Sequence, residues 1–220
     1  MIELGAIAER LQQVRSQIAE IGGAEVEILA VTKGHSVEAI VAAHELGLHA
    51  IGENYAQELV AKLADKSIDV AVHFIGQLQT NKVRHVVELV DVYETVDRPA
   101  LIAELAKRAP GAHVLVQVNT TGETSKGGCV PGDVESLVTS AKAAGLVVDG
   151  LMTVGPTTGG PEASRPGFRE VRALCSDLGL ATCSMGMSDD FVVAVQEGST
   201  RVRLGSVLFG MRPVATARVR

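Results

Sequence analysis

From residue 28 onward the chain repeats one pattern eight times. A short apolar run rich in Val, Ile and Leu is followed by a longer stretch whose apolar residues recur every three or four positions. The apolar runs are 28–31, 50–51, 70–75, 92–96, 113–118, 150–154, 181–184 and 201–204. The helical stretches are 37–46, 56–63, 82–89, 100–109, 134–144, 168–178 and 191–196, several of them preceded by a Ser or Asp suited to cap a helix. Strand and helix in alternation demand right-handed crossovers and a parallel sheet. Eight strands close on themselves without unpaired edges, so the pattern predicts an α/β fold, a (β/α)8 TIM barrel, ahead of an open doubly wound sheet. Before the first strand, Leu4, Ile7, Leu11, Val14 and Ile18 hold helical spacing and predict an extra N-terminal helix. No internal boundary interrupts the pattern, and residues 1–220 read as a single domain.

Composition narrows the function. Hydrophobic residues make up 46% of the chain and charged residues 21%, which excludes a disordered protein. The net charge of −6, with arginines gathered only in the last nine residues, argues against a nucleic-acid surface; the absence of Trp removes the stacking platform that single strands need. The apolar stretches are about half the ~20 residues that cross a bilayer, and the start Met1-Ile2-Glu3 lacks the basic residues of a secretion signal, so a soluble cytoplasmic protein is expected. Cys129, Cys175 and Cys183 show no paired spacing and read as reduced thiols; no His or Cys spacing suggests a metal. A small-molecule ligand is the class that survives.

In a barrel of this kind the chemistry lies just beyond the carboxyl ends of the strands. The first run ends in Val31-Thr32-Lys33, the second in Gly52-Glu53-Asn54-Tyr55, the third in Gly76-Gln77 and the fifth in Asn119. Lys33 stands where desolvation favours a nucleophilic amine, although many strand-end lysines simply extend to solvent. Ser184-Met185-Gly186-Met187-Ser188 and Gly205-Ser206 are Gly/Ser turns in the two loops where barrels often hold phosphate, or else ordinary caps. Asp189 and Asp190 read as solvent-facing charges in a helix first turn. Arg203, inside a strand, needs a polar partner: either a ligand atom or a carboxylate such as Glu53 or Glu94. His73 and Cys183 read as core residues without a catalytic part. The loops 120–132 and 155–167 are the longest and are expected to be the mobile ones.

Several of these residues stand in ordered motifs: Ala30-Val31-Thr32-Lys33, Gly52-Glu53-Asn54-Tyr55, His73-Phe74-Ile75-Gly76, Leu78-Gln79-Thr80-Asn81-Lys82, Gly150-Leu151-Met152-Thr153, Ser184-Met185-Gly186-Met187-Ser188-Asp189-Asp190 and the run from Gly198 to Gly210. Together, over residues 26–212, they resemble the pyridoxal phosphate homeostasis protein family, whose fold is similar to the barrel domain of alanine racemase (fold type III of the pyridoxal phosphate proteins). The resemblance implies that the chain binds pyridoxal 5′-phosphate (PLP), with Lys33 forming an internal aldimine. It also implies that Ser188, Gly205 and Ser206 hold the phosphate, that Arg203 faces the pyridine nitrogen, that Asn54 lies beside the cofactor, and that Met185 and His73 help line the pocket. Val72 stands where members of the family often carry Trp, and Lys126 in Glu123-Thr124-Ser125-Lys126-Gly127 matches the family's Glu-x-Ser-Lys segment but reads otherwise as a surface lysine.

A guanidinium beside the ring nitrogen disfavours a pyridinium, and an unprotonated ring is a poor electron sink. The expected role is therefore a carrier and buffer, not an enzyme: a monomer that holds PLP, releases it through transient contact with PLP-dependent apo-enzymes, and so affects amino-acid and keto-acid balance indirectly. A racemase of this fold type takes a tyrosine base from a second domain, whereas Tyr55 and Tyr93 belong to the barrel segments. Two alternatives stay open on the residues alone: an aldolase-like enzyme using Lys33 on a phosphorylated carbonyl substrate, and a residual amino-acid racemase.

Overall fold

The structure is a computed structural model and describes residues 3–64 and 68–211. The tail 212–220, whose arginines stand out in the sequence, lies outside the described residues.

The predicted alternation is present throughout. Helix α1 (Leu4–Glu20) precedes β1 (Glu27–Val31), α2 (Val37–Glu45), β2 (Ala50–Glu53), α3 (Ala56–Lys62) and β3 (Ala71–Phe74). There follow α4 (Val83–Val86), β4 (Val92–Val96), α5 (Pro99–Arg108), β5 (His113–Val118) and α6 (Val134–Ala143). The chain continues through β6 (Val147–Thr153), α7 (Arg165–Asp177), β7 (Thr182–Ser184), α8 (Phe191–Gln196), β8 (Arg201–Leu204) and α9 (Ser206–Phe209). The eight strands are parallel and pair in sequence order, and β8 pairs back onto β1 with Leu29 opposite Arg203, which closes the barrel.

Helix boundaries move where local chemistry outweighs periodicity. The 82–89 stretch shortens to α4, preceded by a 3₁₀ turn at Thr80–Lys82. Helices α5 and α7 start earlier than their apolar pattern does, because each carries a proline in its first turn, where the missing N–H is harmless. The expected side-chain caps do not form: Ser36, Asp133, Ser164 and Asp190 precede α2, α6, α7 and α8 without a capping bond.

Strand alternation sorts side chains between the helix layer and the barrel interior. Ile28, Ala30, Val202 and Leu204 face outward and pack with Leu11, Val14 and Ile18 of α1 and Phe191 and Val195 of α8. The extra helix therefore covers the β8–β1 seam. A larger outward cluster joins Val72, Phe74, Val114, Val116 and Leu151 to Leu101, Leu105, Leu137, Val138, Phe168 and Val171. Each such side chain contributes roughly 1.5–3 kcal/mol on burial. The residues between them in the strands, Lys33 and Arg203 among them, face inward.

Candidate functional site

The inward face of the barrel carries a chain of polar side chains. Arg203, only 4% exposed, donates from Nη1 to the Ser184 carbonyl oxygen (2.7 Å) and Oγ (2.9 Å), and from Nη2 to the Thr153 carbonyl oxygen (2.6 Å). Ser184 Oγ donates in turn to Glu94 Oε2 (2.7 Å), and Glu94 Oε1 meets His73 Nδ1 (2.7 Å) and Arg201 Nη1 (3.2 Å). Burial alone raises the Glu94 carboxyl, but the His73 hydrogen bond and the charges of His73, Arg203 and Arg201 outweigh it and hold the group at about 2. Burial pushes the Arg203 guanidinium down from its ordinary value, and Glu94 and Asp190 push it back up. Arg203 thus reaches Glu94 through Ser184 rather than by direct pairing, and Glu53 is not its partner.

Above Arg203, at the carboxyl ends of β1, β7 and β8, lies a cavity of about 230 Å³. Lys33, Ser188, Arg203, Gly205 and Ser206 line it, on an apolar floor of Val31 and Ile75. Lys33 Nζ donates to Asn54 Oδ1 at 3.3 Å. The two Gly/Ser turns meet, because Ser188 Oγ accepts the Val207 N–H at 3.2 Å. Five of the eight residues expected at a cofactor site therefore line this cavity, and Asn54 is joined to it through Lys33.

Two do not. Met185 continues the outward parity of Cys183 and is fully buried on the helix side, its Sδ 3.6 Å from Cys183 Sγ. His73 faces inward but lies a layer deeper, bonded to Glu94, and borders a different cavity of about 630 Å³ at the amino ends of the strands. That larger cavity, lined by Arg15, Glu27, His49 and His73 among others, contains neither a lysine nor a Gly/Ser turn. Asp190 also departs from expectation: it is buried, accepting from the Met187 N–H (2.7 Å) and Ser164 Oγ (2.8 Å), and so fixes the turn that carries Ser188. Asp189 borders the cavity.

The long loops are tied down rather than loose. Asn119 Oδ1 accepts from the Thr121 and Gly122 N–H groups, both at 3.1 Å, and Glu123 accepts from the Thr157 N–H (2.8 Å) and Oγ1 (2.5 Å). Lys126 donates to the Gly155 carbonyl oxygen and to Glu123 Oε1, joining the β5–α6 loop to the β6–α7 loop. It is not a detached surface lysine.

Sequence reasoning passed over His35, which lines the cavity and packs at a tilt of 49° against Phe209 with ring centroids 5.5 Å apart. It also passed over Lys62, which pairs with Glu53 and Glu58. The signal available for His35 was its place two residues beyond Lys33; for Lys62 it was the i,i+4 spacing from Glu58, while its bond to the Thr32 carbonyl oxygen crosses 30 residues. Among the described residues no helix is long and apolar enough to cross a membrane, and no group of three His, Cys, Asp or Glu side chains is arranged for a metal ion.

Residues 2–213 match the family described as alanine racemase, N-terminal domain. The pyridoxal phosphate homeostasis protein of Pseudomonas aeruginosa is 38% identical to the chain, across 95% of this chain and 97% of that one. The chain belongs to the pyridoxal phosphate homeostasis protein family. The family's protein of the same name from Aquifex aeolicus is also 38% identical, across 95% of this chain. PipY of Synechococcus elongatus, solved with PLP bound, superposes with a TM-score of 0.81 at 31% identity, covering 93% of this chain and all of that one. Solved without PLP, it gives a TM-score of 0.84 at 33% identity.

Proposed function

We propose that this chain binds pyridoxal 5′-phosphate in the carboxyl-end cavity through Lys33 and serves in intracellular PLP homeostasis as a single-domain carrier. The observation that carries this reading is the meeting of Lys33, Ser188, Ser206 and Arg203 around one small cavity, with Asn54 hydrogen-bonded to Lys33. The residues fit the cofactor: an amine, two hydroxyl-bearing turns brought together by the Ser188–Val207 bond, an apolar floor and a buried cation. PLP binding by a relative of 31% identity supports the same reading.

When bound, PLP supplies an aldehyde that condenses reversibly with a primary amine and releases water. Lys33 provides the amine, and Asn54 Oδ1 orients it by accepting one of its hydrogens. Ser188, Gly205 and Ser206 take the phosphate end. Val31 and Ile75 line the cavity and would exclude water from one side of a bound ring. Arg203, with three N–H donors committed to Ser184 and Thr153, keeps a fixed positive charge at the ring end of the cavity. That charge disfavours a proton on the ring nitrogen and so weakens the carbanion chemistry that racemases and transaminases need. Neither tyrosine borders the cavity: Tyr55 is 53% exposed ahead of α3, and Tyr93 is buried on the helix side. Carrying, not turnover, is the role these residues favour, with PLP-dependent apo-enzymes as recipients in the cytoplasm.

The test is transfer. PLP-loaded protein mixed with an apo-transaminase should restore the transaminase, while showing no racemase or transaminase activity of its own. Turnover of an amino acid that disappears in His35→Ala would overturn the carrier reading in favour of a racemase.

A further inference from the structure

Behind the strand end that carries Lys33 lies a charged cluster that the cofactor chemistry does not use. Lys62, the last residue of α3, has a side chain only 8% exposed. Its Nζ stands 2.8 Å from the Thr32 carbonyl oxygen, 2.7 Å from Glu53 Oε1 and 2.6 Å from Glu58 Oε1. Glu58 Oε1 also accepts the Gly34 N–H at 2.6 Å. Glu53, fully buried, accepts from Thr32 Oγ1 at 2.6 Å; burial pushes its carboxyl up, and the bonds from Lys62 and Thr32 pull it back down. The Thr32 carbonyl and the Gly34 N–H belong to the two peptide groups on either side of the Lys33 α-carbon. Both are therefore anchored in one cluster, one by Lys62 and the other by the carboxylate that Lys62 pairs with.

An apolar side chain of the same length would fill this space without desolvating a charge. What the ammonium adds is direction. Its three donors meet three acceptors, at the end of β1, in β2 and in α3, which fixes the strand end of β1 against α3. Rotation of either flanking peptide would swing the Lys33 side chain across the cavity, and displacement of a reacting atom by about 1 Å is enough to slow a reaction about a hundredfold. Gly34 takes the left-handed backbone conformation (φ 74°) that lets its N–H turn toward Glu58.

We propose that Lys62 is the positioning residue for Lys33, clamping with Glu58 both peptide groups that flank it. This rests on the reading of Lys33 as the amine that takes PLP.

The experiment compares wild type, Lys62→Met, Glu58→Ala and Glu58→Gln as full-length proteins. PLP is titrated by visible absorbance, the pH profile of adduct formation is recorded, and borohydride reduction with peptide mapping locates the adduct. Thermal unfolding reports folding. Glu58 is partly exposed, so Glu58→Ala is expected to stay folded, to lose about tenfold in the rate of adduct formation and to shift its pH profile. Glu58→Gln, which keeps an acceptor for the Gly34 N–H, should recover most of the rate; Lys62→Met should fall at least as far as Glu58→Ala. If Lys62→Met does not fold, Glu58→Ala with its Gln rescue decides. Folded variants with wild-type rate, affinity and pH profile would overturn the clamp. A wild type that forms no adduct on Lys33 would instead overturn the cofactor reading itself.

Discussion

Lys33 Nζ and Asn54 Oδ1 stand 3.3 Å apart across the carboxyl ends of β1 and β2, a hydrogen bond between the amine and the inward-facing residue just past the neighbouring strand. Their approach follows from strand parity: Val31 is paired with Gly52, so the inward positions two residues on, Lys33 and Asn54, come out side by side. Removing the amide leaves the amine with one fewer acceptor but no new buried charge. Asn54→Ala should weaken PLP binding by about 1 kcal/mol, close to fivefold, without a change in melting temperature, as read by absorbance titration beside thermal unfolding.

Gly76 holds Asn54 from the other side. A β-carbon added to Gly76 would fall 2.0 Å from the Asn54 carbonyl oxygen, a backbone atom with no freedom to retreat. Gly76→Ala should cost about 1–3 kcal/mol of stability and also reduce PLP affinity, because the segment that must shift is the one bearing Asn54. Urea unfolding and PLP titration on the same preparation check both halves. A stable variant with weakened binding, or a weakened fold with intact binding, would separate the two effects and contradict the linkage.

Arg203 links the cavity to the core. Arg203→Gln leaves Ser184 and Thr153 carbonyl oxygens short of donors and removes a charge facing Glu94, so a loss of about 3 kcal/mol is expected. The same substitution removes the cation at the ring end of the cavity. The folded fraction should then convert an amino acid to its keto acid in a single slow half-reaction, with no such conversion expected of the wild type, measured by loss of the visible band on addition of L-alanine.

The fold was legible because its pattern is long. Eight alternations leave few solutions, and even short runs such as 50–51 fall on strands once their neighbours are placed. The site was legible in part, and the misplacements turn on parity, depth and distant partners. Met185 and Ser188 stand in the same motif, but β7 ends at Ser184 facing inward, which sends Met185 outward; motif membership says nothing about parity. His73 has inward parity and still misses the cavity, because depth along the barrel is set by the strand stagger and not by the order of motifs. Asp190 reads as a capping charge in any local window, yet its partner Ser164 comes from 26 residues away. Lys62 shows its i,i+4 pairing with Glu58 in the sequence, but its bonds to Glu53 and the Thr32 carbonyl oxygen need the folded barrel.

The polar column through the barrel makes stability depend on pH. Glu94 is held at about 2, below its ordinary value of 4.5, so the folded state binds its proton less readily than the unfolded state does. Its contribution is complete above about pH 4.5 and is lost as pH falls toward about 2. Urea unfolding between pH 6 and pH 3 should show wild type losing more stability than Glu94→Gln, which starts about 3 kcal/mol lower at neutral pH because Arg203 and Arg201 lose a charged partner. Parallel slopes for the two proteins would remove Glu94 from the electrostatic balance.

On the proposed reading, Lys33 is the amine that takes pyridoxal phosphate. The direct measurement is addition of PLP to wild type and to Lys33→Ala, followed by borohydride reduction and peptide mass mapping. The predicted result is a visible band in wild type, a reduced pyridoxyl adduct on the peptide containing Lys33, and neither in Lys33→Ala. A wild type without the band, or an adduct that maps elsewhere and survives in Lys33→Ala, would contradict it.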